Sequence, residues 1–465
     1  MNTDELIAGL NCEAIHAGAL RIMEEVGLEL PNEQTRTEIA SVAGIKIKGN
    51  RVLISSELAE KVVTDMKAMD LGPDRNQGEW WFGGGGHCHW WHDFDGELKP
   101  FTTKNLPKAI CFTQGCEDLG VSQACPGFPT DEPGPIQPLI QMRIVAEYTG
   151  KIGPSAFDDS RQEVFAREMF NVFDVKFDIG AHTISPLKLE GNEWDMLLAQ
   201  LELIRNGTIG DTVFIGNMPA VGGTAPCDYN AAWAQSVAEV IGAAAIVKSL
   251  GFPKVVAEPC LYPFDLRSGI WVYGSAEHAL ITLMEKKVRQ FYGLPPRCAK
   301  SLESGVVEPN VQAASEKTFH TTLAAMAGYR VFTGAGCLGI DDIWSPTQLM
   351  VDVDIVNSIK HIISNGCKDM EVDIVEAVKE GVSGSNFFAA DLTLSQHRQL
   401  YWSPNLFERQ TLGQWLAQGK PGILKKAEDN ARSRLENLKI EPKLDRDKAA
   451  ELDRIISRAR KVLSG

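Results

Sequence analysis

Val213-Phe214-Ile215-Gly216-Asn217, a loop of small residues from Met218 to Asp228, an alanine-rich run from Tyr229 to Leu250, then Val255-Val256-Ala257-Glu258: this stretch decides the fold. A short β-rich run bounded by Gly-Asn reads as a buried strand, and the long alanine-rich stretch Tyr229 to Leu250, interrupted by Gln235, Glu239 and Lys248, reads as a helix. Two strands joined by a crossover helix lie parallel, because a tight turn cannot connect them. The stretch is therefore a strand-helix-strand unit, and the question is how often it recurs.

Working outward, strands are expected at Val121 to Cys125, Ile152 to Ala156, Ile179 to Ile184, Val213 to Asn217, Val255 to Glu258, Arg297 to Lys300 and Arg330 to Thr333. Helices are expected at Glu193 to Asn206, Tyr229 to Leu250, Glu277 to Phe291 and Gln312 to Ala327, lengths that suit the outer ring of a barrel. Seven strands are one short of closure, and the expectation is an α/β fold, a TIM-type (β/α)8 barrel over residues 120–384. Residues 1–119 read as an N-terminal helical cap followed by a glycine- and tryptophan-rich hairpin region, and residues 385–465 as a C-terminal helical extension. In the cap, Thr3 to Glu29 reads as helical and closed by Gly27. Gly44 to Ile54 reads as two short strands turning at Gly49-Asn50, and Ser56 to Met66 as a helix capped by Ser56.

The 465 residues carry 46 Lys plus Arg against 61 Asp plus Glu, a net charge of -15, which argues against nucleic acid or an anionic membrane as partner. No apolar run is expected to reach the roughly 18 residues that span a bilayer, and Asp4 and Glu5 stand where a signal peptide carries Lys or Arg, so a cytoplasmic location is expected. The ten cysteines are scattered without a Cys-x-x-Cys pair and read as reduced thiols.

The oddest segment is Trp80 to His92, with four Trp and three His around Gly83-Gly84-Gly85-Gly86. It lacks the Lys-Ser/Thr of a phosphate loop, so a glycine-rich hairpin or bulge passing close to something bulky is the plainer account. In extended chain His87 and His89 share one face with Trp91, while Cys88 and His92 fall on the other; two ligands on one face could hold zinc only with help from elsewhere. Gly216 to Tyr229 is a loop between strand and helix, the kind that builds barrel active sites. No Gly-x-Ser-x-Gly elbow and no local Cys-His signature supports covalent hydrolysis.

Several separated stretches make the chain resemble the trimethylamine/glycine betaine corrinoid methyltransferase family, in its branch without pyrrolysine. They are Gly222-Gly223-Thr224-Ala225-Pro226, Ala238-Glu239, Phe264 to Gly269, Gly274-Ser275-Ala276-Glu277, Phe291 to Pro295, Gln312 to Lys317, Ser345 to Asp352 and Gly413-Gln414-Trp415. The helix around His16, the Asp95-Gly96 turn and Lys99 to Thr102 also look like it. The resemblance implies a TIM-type barrel that moves a methyl group from an amine to the cobalt of a corrinoid held by a separate protein. Because only standard residues are present, it points to quaternary amines such as glycine betaine, proline betaine or carnitine.

Displacement of a neutral tertiary amine needs no general acid and no nucleophilic side chain, so no catalytic residue, no metal and no tightly bound cofactor is expected. The expected acceptor is cob(I)alamin on a partner corrinoid protein, since the chain has no Asp-x-His-x-x-Gly signature. Aromatic rings would hold the cation. Substrate-binding candidates are His89, Trp90, Trp91, Tyr262, Asp341 and Trp344, with Phe157, Asn217, Glu258 and Asp342 also at strand ends; Tyr229, Trp271 and Tyr292 are read as packing. Homo-oligomerisation is left open. Two rivals stand beside this reading, a zinc-dependent barrel methyltransferase or hydrolase using His87 and His89, and a betaine-binding sensor without catalysis.

Overall fold

The computed structural model describes residues 3–71, 78–84, 87–121, 125–153, 155–175, 177, 179–205, 212–252, 254–294, 300–302, 304–366, 371–384 and 386–463. The opening stretch folds as read. Thr212–Gly216 pairs in parallel with Lys254–Glu258 on one side and with Ile179–His182 on the other, Val213 standing opposite both Ile179 and Val255. A second parallel arc joins Lys300–Ser301 to Val331–Ala335, and Val331–Ala335 to Trp81–Gly84.

That last pairing changes the sequence reading. The sheet includes a strand from before Gly120, Trp81–Gly84, which lies in parallel against Val331–Ala335, the kind of early-to-late strand contact that a closed barrel requires. The expected hairpin is corrected accordingly. Trp81–Gly84 and Trp90–His92 do not pair with each other; Trp90–His92 pairs antiparallel with Leu98–Pro100 and in parallel with Ile343–Trp344. A strand ending in glycines escapes a local reading because glycine weakens every strand signal, while the partner that stabilises the strand is some 250 residues away.

Each parallel strand is followed by a helix: Leu106–Gln114, Asn192–Arg205, Tyr229–Ser249, Ala276–Phe291, Val311–Met326 and Pro346–Asn365. Between Trp81–Gly84 and Ile179–His182 come Gln137–Thr149 and Ser160–Asn171 as well, so eight helices alternate with the strand positions of a TIM-type α/β fold. The segments Val121 to Cys125 and Ile152 to Ala156, expected as strands, form no ladder among the described residues, and 122–124 and 154 lie outside them, as do 297–299 of the Arg297 to Lys300 expectation.

Tyr229–Ser249 is buried on nearly every side, from Ala232 through Val247. The reason is a second layer. Cys12–Arg21 and Ser56–Lys67 pack on its outer face, with Gly18 so close that a Cβ there would lie 3.2 Å from the Ala234 methyl. Contrary to the sequence reading, this helix is long and apolar enough to cross a membrane, but 89% of its apolar window is buried inside the protein, which accounts for that composition. The Gly49-Asn50 turn between Ile45–Lys48 and Arg51–Ile54 forms as expected, and Ser55 rather than Ser56 caps the next helix, accepting from Leu58 N at 3.3 Å. At the other end, buried Asp354 accepts from the backbone N–H groups of Asn405, Leu406 and Phe407 at 2.7–3.1 Å. That anchor leads the chain back to pack Ile423–Glu436 on Pro346–Asn365 and Arg446–Leu463 on Ser160–Asn171.

Candidate functional site

At the C-terminal ends of Ile179–His182 and Thr212–Gly216 two loops converge on one carboxylate, and the loop after Lys254–Glu258 joins them through Asn217. Glu239, fully buried in the middle of Tyr229–Ser249, accepts from Ser185 Oγ (2.8 Å), Leu187 N (2.9 Å), Asn217 Nδ2 (2.8 Å), Gln235 Nε2 (2.9 Å) and, more distantly, Thr183 Oγ1 (3.4 Å). Asn217 carries the network onward. Its Oδ1 accepts from Cys260 N at 3.0 Å, and its amide donates to Ser236 O at 3.0 Å. A buried carboxylate is tolerated only when its lone pairs are filled, and here filling them fixes the loops after three successive strands.

The loop after Lys254–Glu258 then folds into a hairpin, Tyr262–Asp265 against Ile270–Trp271. It gathers rings. Tyr262 meets Trp271 edge-on at 5.6 Å, Tyr273 at 5.8 Å and His278 at 6.2 Å, and Phe264 meets Trp271 at 6.1 Å. Tyr262, Phe264, Trp271 and Tyr273 are all half-buried, so ring surface is left for a ligand. Below them the His278 and His320 rings stack at 4.1 Å; Gly274 N donates to His278 Nδ1 at 3.2 Å, and Thr282 Oγ1 lies 3.0 Å from His320 Nε2. Glu258, at the strand end, is held by Arg289 at 3.0 Å, a guanidinium only 1% exposed.

Of the residues expected from the sequence to bind substrate, His89, Trp90, Trp91, Asp341 and Trp344 come together at the other arc, where Ile343–Trp344 pairs with Trp90–His92; Tyr262 belongs to a different sheet. Two of the five are corrected. Trp91 and Trp344 are 5% and 0% exposed, packed edge-on at 5.1 Å and against Phe101 and Phe112, so they are core rather than pocket wall. Strand alternation explains it: Trp91 points inward, while its neighbour Trp90 faces out, 39% exposed. His89 Nδ1 reaches Asp342 Oδ1 at 2.9 Å, both side chains about half exposed, and the Asp342 carbonyl also receives His89 N and Trp90 N. His87 and His89 each lie 6.0 Å from the Phe128 ring, and no three His, Cys, Asp or Glu side chains group as a metal site among the described residues.

Residues behind this corner are fixed by a second buried hub. Asp352 accepts from Lys317 Nζ at 2.7 Å, Gln348 Nε2 at 2.8 Å and Gly336 N at 2.8 Å, and neither Lys317 nor Asp352 has an exposed side chain. Burial pushes the Asp352 carboxyl above its usual range, against the opposing pull of Lys317. Gly336, at φ 81°, has no room for a side chain, since a Cβ would sit 2.8 Å from the Trp344 indole nitrogen.

A cavity of about 1160 Å³ lies elsewhere, lined by Trp80, His87, Gln114, Gln141, Lys151 and Lys360 among others, and it touches neither the Tyr262 hairpin nor Glu239. We place the candidate site at the hairpin and its Glu239 hub. Trp271 and Tyr273 escape a reading of the sequence because two rings two residues apart are as common in a core as in a pocket; the signal available is their position just before a capped helix, Ser275 accepting from His278 N at 3.1 Å.

Strand ends, polar hub and ring cluster together belong to a segment that the family profile described as Trimethylamine methyltransferase (MTTB) matches over residues 177–464, and the chain belongs to that family. Trimethylamine methyltransferase MttB of Methanosarcina barkeri is 31% identical over 286 residues, which cover 60% of this chain and 55% of that protein. The chain's match thus spans about half the length of those relatives. Glycine betaine methyltransferase of Desulfitobacterium hafniense (strain Y51) is 23% identical over 429 residues, 87% of this chain and 86% of that protein. The crystal structure of the Methanosarcina barkeri monomethylamine methyltransferase MtmB aligns over 94% of this chain and 92% of its own, with 10% identity and a TM-score of 0.44.

Proposed function

We propose that this protein moves a methyl group from a quaternary amine, glycine betaine or a similar betaine, to the cobalt(I) of a corrinoid carried by a separate protein. The observation that carries the reading is the cluster of half-exposed rings, Tyr262, Phe264, Trp271 and Tyr273, at the C-terminal end of the parallel strand Lys254–Glu258. A trimethylammonium head cannot be hydrogen-bonded, so a site selects it by ring faces, each contributing about 0.5–2 kcal/mol as water is excluded. Similarity to a glycine betaine methyltransferase along 87% of the chain supports a betaine over trimethylamine, whose enzymes match over 60%.

In the transfer the methyl C–N bond breaks with its electron pair leaving on nitrogen, and the carbon bonds to the acceptor metal. The departing amine is neutral, so the chain's task is positioning in a dry site, which can supply several kcal/mol of the barrier. Glu239 does this at one remove, by holding the 183–187, 217 and 260 loops in one arrangement. The reading places the protein in the cytoplasm, where thiols and a reduced acceptor persist.

The test is formation of methylcobalamin, followed by absorbance, from free cob(I)alamin with glycine betaine, proline betaine, carnitine or trimethylamine. A betaine should support turnover and trimethylamine should not. Turnover with trimethylamine, or binding of a betaine with no methylcobalamin from any of the four, would overturn the reading, the latter in favour of a sensor.

A further inference from the structure

Cys88 and Cys337 lie 249 residues apart in sequence, yet their sulfurs stand 3.6 Å apart in the core, both side chains without solvent exposure. Each follows one strand of the closing pair: Cys88 comes after Trp81–Gly84, and Cys337 after Val331–Ala335. Backbone holds both in place. Phe128 N donates to Cys88 O at 2.9 Å, and Cys337 is in register with Trp344, which is in register with Trp91. We propose that Cys88 and Cys337 form a reversible disulfide under a peroxide oxidant, a staple beside the pairing of Trp81–Gly84 with Val331–Ala335.

The reaction balances with hydrogen peroxide. One thiolate attacks a peroxide oxygen, giving a sulfenic acid and the first water; the second sulfur attacks the first, the S–S bond forms and the second water leaves. Both thiol protons end in water, the sulfurs are oxidised and the peroxide reduced. Closing from 3.6 Å to about 2.05 Å requires the sulfurs to approach by about 1.5 Å. Nearby Cys125 is held apart from the pair, its S–H donating to Gly127 O at 3.3 Å. Exposed Cys227 is the natural control, because a thiol with no second sulfur beside it is carried up the sulfenic, sulfinic and sulfonic acid ladder rather than into an internal disulfide.

The full-length protein, treated with hydrogen peroxide and digested without reductant, should give one peptide pair linking Cys88 to Cys337, about 2 Da lighter than the sum of the two reduced peptides because two thiol hydrogens are lost, and absent after adding dithiothreitol. The oxidised protein should melt higher by about 3 °C or more, since the link closes a long loop. Cys88→Ser and Cys337→Ser, each compared with its own reduced form, should both lose that rise. Oxidation confined to Cys227, or a rise that persists in either variant, would overturn the proposal.

Discussion

The two arcs of the sheet hold their loops by different means. On the arc built from Ile179–His182, Thr212–Gly216 and Lys254–Glu258, one buried carboxylate with five donors organises the strand ends and leaves aromatic rings half-exposed above them. On the arc that closes through Trp81–Gly84 and Val331–Ala335, tryptophans fill the interior, and the polar contact from His89 to Asp342 lies in solvent. Abundance of aromatic residues marks packing in the second region; a polar hub beneath fewer rings marks a site in the first.

Trp344→Ala should break the comparison most sharply. A fully buried indole in contact with Trp91, Phe101 and Phe112 leaves a large cavity, and the expected loss is about 4 kcal/mol of unfolding free energy in urea. Stability unchanged within about 1 kcal/mol, with betaine turnover lost, would return Trp344 to the pocket.

Glu239→Gln tests the other side. The amide keeps the volume but turns one acceptor oxygen into a donor facing donors, which should cost about 2–3 kcal/mol and lower kcat at least tenfold with a smaller change in KM, because loops rather than substrate contacts are disturbed. A variant of unaltered stability and kcat would dissolve the hub as an organising element.

Glu163 sharpens the contrast between satisfied and unsatisfied carboxylates. It sits nearly buried between Ser160–Asn171 and Asn192–Arg205, in contact with Gln200, and burial, with the charge of Glu193, pushes it up to about 7 against the pull of Arg167. A folded value above the unfolded one means that protonation favours the native state: its contribution is fully present below about 4.5 and is lost as pH rises through 7. Glu163→Gln should therefore raise the melting temperature at pH 8, by the equivalent of about 2 kcal/mol, and change it little at pH 5. An equal effect at both values would show that charge is not involved.

What sequence could reveal follows the same division. The repeating unit around Val213 to Glu258 was legible because strand and helix signals are local, and Asn217 and Glu258 were placed at strand ends from position alone. The Trp81–Gly84 strand was not, since its evidence lies in a partner at Val331. Trp91 and Trp344 were misassigned because residue type says that a ring is large and apolar, whereas the direction it faces depends on pairing between distant strands. Glu239 stood in the Ala238-Glu239 pair, but its role depends on donors from two loops far from it in the chain, at Ser185 and Leu187 and at Asn217.

Trp271→Ala and His89→Ala form the finest comparison. Trp271 packs edge-on against Tyr262 and Phe264 with part of its surface free, so its removal should raise KM for a betaine about tenfold, near 1.4 kcal/mol, while stability falls less than for Trp344→Ala. His89 is half exposed and pairs with an equally exposed Asp342, a contact that solvent screens to less than about 1 kcal/mol. Its removal should leave stability within that margin and KM within about twofold. Both variants belong in one assay with free cob(I)alamin, so that KM is read without a partner protein. The reverse pattern, a large KM effect at His89 and none at Trp271, would move the substrate from the hairpin to the closing arc.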